Sequence, residues 1–379
     1  MSKRILKNKF VNIDKNDERY LLEALWRGQL SGTAEVVEQY EEKLCEYFKT
    51  KFALAFCNGT LSIHAALLAL GISQGDEVIL PATAPVMTAL PILLAHAKPV
   101  FADTIAGNNF GFDLNDLEKK LTNQTKAIIC VPMWGYPIEM EGLLNLSKNR
   151  EIPIIEDVAQ AHGTKVGTKY LGTFGDIGSF STHDRKLICT GEGGVLMTSN
   201  KLLFERLSEI RTFGRVVRNT PDLESYQGKF GVLFGLNYKI NALGAAIGIS
   251  QLEKLNKKLN IRKENANFIK NSISDLNWIS EIQFNGDSLP NYYALVLEIK
   301  SPKITGSKLS KYLYDHGIIS DTFEYDYKPL YELPLFNDFI SECPNTKILT
   351  NKIITLPTHE GLTKEDLEYI VQTLSEFKI

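Results

Sequence analysis

Apolar positions recur along this chain in two alternating rhythms. Residues 14–26 and 36–48 carry them at helical spacing: Leu21, Leu22, Ala24 and Leu25 in the first, Val37, Tyr40, Leu44 and Phe48 in the second. Each spacing predicts an amphipathic helix with one face turned to a core. Short apolar runs follow: FALAFC at 52–57, EVILP at 77–81, PVFA at 99–102, KAIICVP at 126–132 and IPII at 152–155. Helical patterns over 61–70, 86–96, 114–121 and 140–148 separate them. Short buried strands joined by helices predict an α/β fold, with a mainly parallel sheet covered by helices on both faces. Ligands of such sheets gather at the carboxyl ends of the strands. Asn58, Gly59, Thr60, Trp134, Asp157 and Gln160 would fall there.

Beyond residue 200 the character changes. A helix is expected over 201–211 and a polar, irregular loop over 212–227. A helix over 242–255 carries the small residues Ala245, Ala246 and Gly248, and a charged helix follows over 257–276. A β-like stretch at 292–299 and a helix at 306–316 come next. The shift near residue 250 divides the chain into a large domain, 1–250, and a smaller C-terminal α+β domain, 251–379.

Composition narrows the function. The 379 residues are 44% hydrophobic, enough for one large core and a smaller one. Net charge is −3 with mixed signs and no basic block, so no nucleic-acid partner is expected. No apolar segment approaches the ~20 residues that cross a bilayer. The start, MSKRILKNKFVNIDKND, is basic but lacks the apolar run of a signal peptide. Five scattered cysteines without C-x-x-C spacing predict no disulfide framework and fit a reducing cytoplasm. The six histidines show no metal-ligand spacing, so no metal is expected.

The candidate chemistry centres on 179–198, SFSTHDRKLICTGEGGVLMT. Lys186 stands there between two strand-like runs, followed by the glycine-rich turn 191–194. Lysine rarely goes inside unless paired or chemically employed; a surface-loop lysine is the plain alternative. Asn58-Gly59-Thr60 joins a strand to a helix N-terminus, which suits an anion or a simple helix cap equally. Asp157 follows a buried strand directly, where a carboxylate needs a donor or a cation.

Taken in order, several segments resemble the DegT/DnrJ/EryC1/StrS family of pyridoxal-phosphate-dependent sugar aminotransferases. They are GQLSG, the NGT turn, EVILPA, EDVAQAHG, LGTFGDIGSFS, the lysine six residues before the glutamate of GEGG, FGLNYKINALGAAIGISQLEKL and LPTHEGLT. The resemblance spans nearly the whole chain and implies fold type I. It implies that Lys186 forms the internal aldimine with pyridoxal 5'-phosphate and moves the proton as acid and base. It further implies that Asp157 keeps the ring nitrogen protonated and that Gln160 bonds the ring hydroxyl oxygen. Gly59, Thr60 and Ser181 would hold the phosphate. Trp134 would stand near the ring, and Asn237 would reach the phosphate from a neighbouring subunit. A homodimer with shared active sites follows from that last role. A dehydratase branch of the family has histidine at the lysine position. Here His183 lies three residues earlier, so the implied reaction is amino transfer.

One departure stands out: Pro85 occupies the place of the family's usual ring-stacking aromatic residue. The implied substrates are a ketosugar, expected to be nucleotide-linked, and glutamate or glutamine as donor. A transaminase for an aminocyclitol or another keto substrate is an alternative. A catalytically silent pyridoxal-phosphate-binding regulator is another, opposed by the intact set Lys186, Asp157, Gln160 and Ser181. No G-x-G-x-x-G follows a first strand, which disfavours a dinucleotide-binding domain. Arg215, Arg218, Lys239, Tyr325, Tyr327 and His359 are open between substrate-side and structural roles.

Overall fold

The computed structural model describes residues 4–107, 109–284 and 286–378; residues 1–3 of the basic N-terminal stretch lie outside the described residues. Its strands are β1 (Phe52–Phe56), β2 (Glu77–Pro81), β3 (Lys98–Ala102), β4 (Thr125–Cys130), β5 (Ile154–Asp157), β6 (Lys165–Val166), β7 (Lys169–Tyr170), β8 (Ile177–Ser181), β9 (Gly194–Thr198), β10 (Ile279–Glu281), β11 (Ser288–Leu289), β12 (Leu295–Ile299) and β13 (Ile353–Leu356).

Seven of these form the main sheet in the order β1-β9-β8-β5-β4-β2-β3. Neighbours pair parallel from β3 to β8, and only β9 runs against both of its partners. β2 and β9 are buried at every position, which is why they read as continuous apolar runs rather than alternating ones. Helices supply the cover. Helix Glu35–Phe48 buries Val36, Val37, Tyr40, Leu44 and Phe48, a stripe at helical spacing. Helix Ala242–Glu253 buries nine residues, and Gly248 lets it pack on the Tyr40 ring, which a Cβ would meet at 2.7 Å.

The polar residues flanking these elements fix where helices begin. Asp14 closes a capping box on helix Lys15–Trp26, and Asn58, Asn200 and Asn241 cap the helices that follow them. A second, antiparallel sheet, β10-β12-β13, packs with helix Gly306–Asp315, and helices Leu255–Ser272 and Lys364–Ser375 pack on each other. A small ribbon, β11-β6-β7, ties residues 288–289 to the main-sheet side of the molecule. The N-terminal strand bridge Leu6–Ile318 brings the start of the chain onto its C-terminal part. Among the described residues no helix is long and apolar enough to cross a membrane.

Candidate active site

The carboxyl ends of β1, β4, β5 and β8 open onto one mouth. β1 leads into Asn58, whose Oδ1 accepts from the Leu61 N–H at 2.8 Å. This capping starts helix Gly59–Ala69 two residues earlier than its apolar pattern indicates. The Gly59 and Thr60 N–H groups, the first two of that helix, have no acceptor among the described residues. Gly59 lies against Ser181 at the end of β8: a Cβ there would sit 2.8 Å from the Ser181 Cβ. Gly194, opening β9, lies against the same turn, with the Asn58 carbonyl oxygen 2.5 Å from where its Cβ would be. Two glycines thus seat the turn on β8 and β9. Two free N–H groups and the Ser181 hydroxyl make an anion cradle at a helix N-terminus.

β5 ends on two adjacent acids, and strand alternation sends them apart. Glu156 accepts from the N–H groups of Gly172, Phe174 and Gly175 at 2.6–2.7 Å, which organises the LGTFGD loop. Asp157 points to the mouth side. Its Oδ2 accepts from Thr88 Oγ1 at 2.5 Å and its Oδ1 from the Ala159 N–H at 3.1 Å. Burial pushes its carboxyl above the usual range, while the Thr88 and Ala159 bonds and the Lys186 charge pull it back. A cation brought beside it would favour its ionised form.

After β4, Trp134 takes a left-handed conformation (φ 50°) next to Gly135 (φ 80°). Its backbone N–H donates to Gln160 Oε1 at 2.7 Å, and its indole Nε1–H to Asp321 Oδ2 at 2.9 Å. The first bond occupies the Gln160 oxygen and leaves that amide's NH₂ without an acceptor among the described residues. Asn291 holds the segment from behind, donating to the Gln160 carbonyl at 2.9 Å and the His162 carbonyl at 3.0 Å.

Lys186 sits in the loop between β8 and β9, not on a strand. Its backbone N–H donates to the His183 carbonyl at 2.9 Å. Its Nζ lies 5.2 Å from the centre of the Tyr293 ring and makes no hydrogen bond or ion pair among the described residues. Burial lowers the affinity of this amine for its proton; the Asp157 and Asp321 carboxylates oppose that, and the Arg185 charge adds to it. A half-buried, unpartnered amine with lowered basicity is a nucleophile in waiting.

The remaining expected residues divide. Pro85 is half-buried and stands at the N-cap of helix Val86–Leu94, which delivers Thr88 to Asp157. His183 contacts Asp184 at 2.9 Å and Glu192 at 3.5 Å beside the Lys186 loop. Tyr327 packs edge-on against Trp134 and donates to the Thr83 carbonyl, and Tyr325 lies under Arg185. Arg218 is taken by Glu209, and His359 by the Lys7 carbonyl. Asn237 is exposed, accepts from Lys239 Nζ at 2.6 Å, and bonds none of the other site residues within the chain. Thr88, Asn291, Tyr293 and Asp321 were absent from the sequence reading. Nothing in their local pattern sets them apart; they join the site through tertiary contacts alone.

Known proteins resemble this chain along nearly its whole length. The chain is 32% identical over 361 residues to the GDP-perosamine synthase of Escherichia coli O157:H7, spanning 95% of each chain. It is 30% identical over 372 residues to a UDP-4-amino-4,6-dideoxy-N-acetyl-beta-L-altrosamine transaminase of Campylobacter jejuni, spanning 96% of this chain and 95% of that one. Its fold matches Helicobacter pylori PseC, an aminotransferase involved in the biosynthesis of pseudoaminic acid, with a TM-score of 0.88. That match has 25% identity and covers 98% of this chain and 99% of the other. Residues 11–375 match the family profile, and so the chain belongs to the DegT/DnrJ/EryC1/StrS aminotransferase family.

Proposed function

We propose that this aminotransferase carries an amino group from glutamate or glutamine to a nucleotide-linked ketosugar, with pyridoxal 5'-phosphate held at the mouth described above. The observation that carries this reading is the free, half-buried amine of Lys186 sharing one mouth with an anion cradle, a buried carboxylate and an unused amide NH₂. Each matches one part of the cofactor. The Gly59 and Thr60 N–H groups and the Ser181 hydroxyl would hold its phosphate, the Gln160 NH₂ its ring oxygen, and Asp157 its protonated ring nitrogen. Trp134, pinned at both its nitrogens, would wall the ring. The cofactor, when bound, supplies a carbonyl carbon and an electron-withdrawing ring.

The chain's own residues do the rest. Lys186 takes the proton from the substrate carbon as a base and returns it as an acid; burial, which lowers its basicity, eases the return to the neutral amine that acts as base. Asp157 keeps its negative charge when a cation faces it, and Thr88 keeps its orientation fixed. The sugar nucleotide is supported by the relatives named above, whose products carry GDP or UDP. Exposed Asn237 and the exposed apolar residues Phe213, Phe230, Phe234 and Leu236 around it support a second copy docking here, with Asn237 completing the other copy's cradle.

The purified protein is expected to take up pyridoxal phosphate with a visible absorbance band, and borohydride is expected to fix the cofactor on Lys186. Glutamate or glutamine should bleach the band, and a GDP- or UDP-linked 4-ketosugar should restore it. Labelling at another lysine would overturn the site assignment, and a band indifferent to both donors would overturn the amino transfer.

A further inference from the structure

The Lys186 loop is held from behind by charges that the mouth does not expose. Helix Leu255–Ser272 carries Lys258 and Arg262, which are 3% and 4% exposed. Lys258 Nζ donates to the Leu187 carbonyl at 2.7 Å and to Gln251 Oε1 at 2.6 Å. Gln251 in turn donates to Asp17 Oδ1 and to the Asn12 carbonyl, both at 2.9 Å. One helical turn on, Arg262 Nη1 donates to the Tyr293 carbonyl at 3.1 Å. The Tyr293 ring is the group that faces Lys186 Nζ. Between the two cations lies Glu360, 3.1 Å from Arg262 Nη2 and 3.9 Å from Lys258 Nζ, with its side chain 3% exposed.

Two buried cations sharing one nearby carboxylate are costly, and a hydrophobic helix face would be cheaper. What the charges supply is direction. A charge-assisted bond to a carbonyl is short, strong and fixed in geometry. The two carbonyls chosen here belong to the residue just after Lys186 and to the residue whose ring faces its amine.

We propose that Lys258, Arg262 and Glu360 are positioning residues for Lys186: Lys258 fixes the backbone after it, Arg262 fixes the ring facing it, and Glu360 ties the two cations together. Burial lowers the Lys258 ammonium to about 8, with Glu360 opposing, so the cluster is a tuned one rather than a solvated surface pair. The proposal rests on the reading of Lys186 as the reacting amine.

The test uses full-length protein, wild type and the variants Lys258→Met and Arg262→Lys. Each is incubated with pyridoxal phosphate and borohydride, and capture at Lys186 and at surface lysines such as Lys201 is followed by peptide mass spectrometry. Both variants are expected to slow capture at Lys186 roughly ten- to a hundredfold, the scale of a misplacement near 1 Å, with capture at Lys201 unchanged. Arg262→Lys keeps the charge, so it decides the matter if thermal unfolding shows that Lys258→Met has not folded. Unchanged capture at Lys186 in folded variants overturns the positioning role alone. No capture at Lys186 in the wild type overturns the reading of the site, and this proposal with it.

Discussion

His162 shows how a single buried side chain ties this site to pH. It is fully buried, packs on the Phe180 ring at 5.3 Å, and neither ring nitrogen makes a well-formed hydrogen bond. Burial, with the Lys186 and Lys258 charges behind it, pushes the imidazole down to about 3, against a weaker pull from the Ser181 backbone. Below pH 6.5 the unfolded chain therefore takes up a proton that the folded ring refuses. Stability from this residue is complete above pH 6.5 and drains away as pH falls towards 3, at about 1.4 kcal/mol per pH unit. His162→Leu removes that term. Its unfolding free energy relative to wild type should improve by that slope between pH 6 and 4, measured by urea unfolding at several pH values. A constant difference across the range would show that the ring titrates normally.

At the scale of elements, the glycines at the mouth matter more than their loops suggest. Gly59→Ala places a Cβ 2.8 Å from the Ser181 Cβ. The turn must lift off β8, and overpacking of this kind costs about 1–3 kcal/mol. Pyridoxal phosphate affinity, read by absorbance titration, is expected to fall at least about tenfold, because the N–H groups of the cradle move with the turn. Tight binding in this variant would place the anion site elsewhere. The same scale explains what the sequence made legible. β2 was readable to the residue because all five positions are buried. The helix expected from residue 61 starts at Gly59 because the Asn58 side chain takes over the first turn. The helix expected to 255 and the one after it meet at Lys254, which ends one and opens the next. Elements after residue 320 went largely unread: helix Pro344–Lys352 is short and mixed in pattern, whereas helix Lys364–Ser375, which buries Leu367, Ile370 and Leu374 at helical spacing, was legible and passed over. Lys186, Asp157 and Gln160 were found through motif order, whereas Asp321 and Tyr293 reach the mouth by folding alone.

For the whole molecule, the surface around 213–236 is the telling feature. Phe234 is 66% exposed, and Phe213 and Phe230 are about half exposed. An apolar patch of this kind marks an interaction surface. If Asn237 serves a neighbouring copy's cradle, inactive Lys186→Ala and Asn237→Ala proteins should regain activity when unfolded together and refolded. Mixed dimers would hold one site with both residues intact. Equal inactivity before and after mixing would mean that each chain builds its site alone.

If Lys258, Arg262 and Glu360 position Lys186, the order of synthesis on the ribosome has a consequence. β5, β8 and the loops after them, which carry Asp157, Gln160 and Lys186, leave the ribosome before Arg262, Tyr293 and Glu360, and domains tend to fold as they emerge. Glu360 follows Lys186 by 174 residues, and Arg262 and Tyr293 lie between. A nascent chain would therefore assemble the sheet and its anion cradle before the residues proposed to align the Lys186 amine had been made. Cofactor capture would then report synthesis as far as Glu360 rather than folding of the main sheet alone.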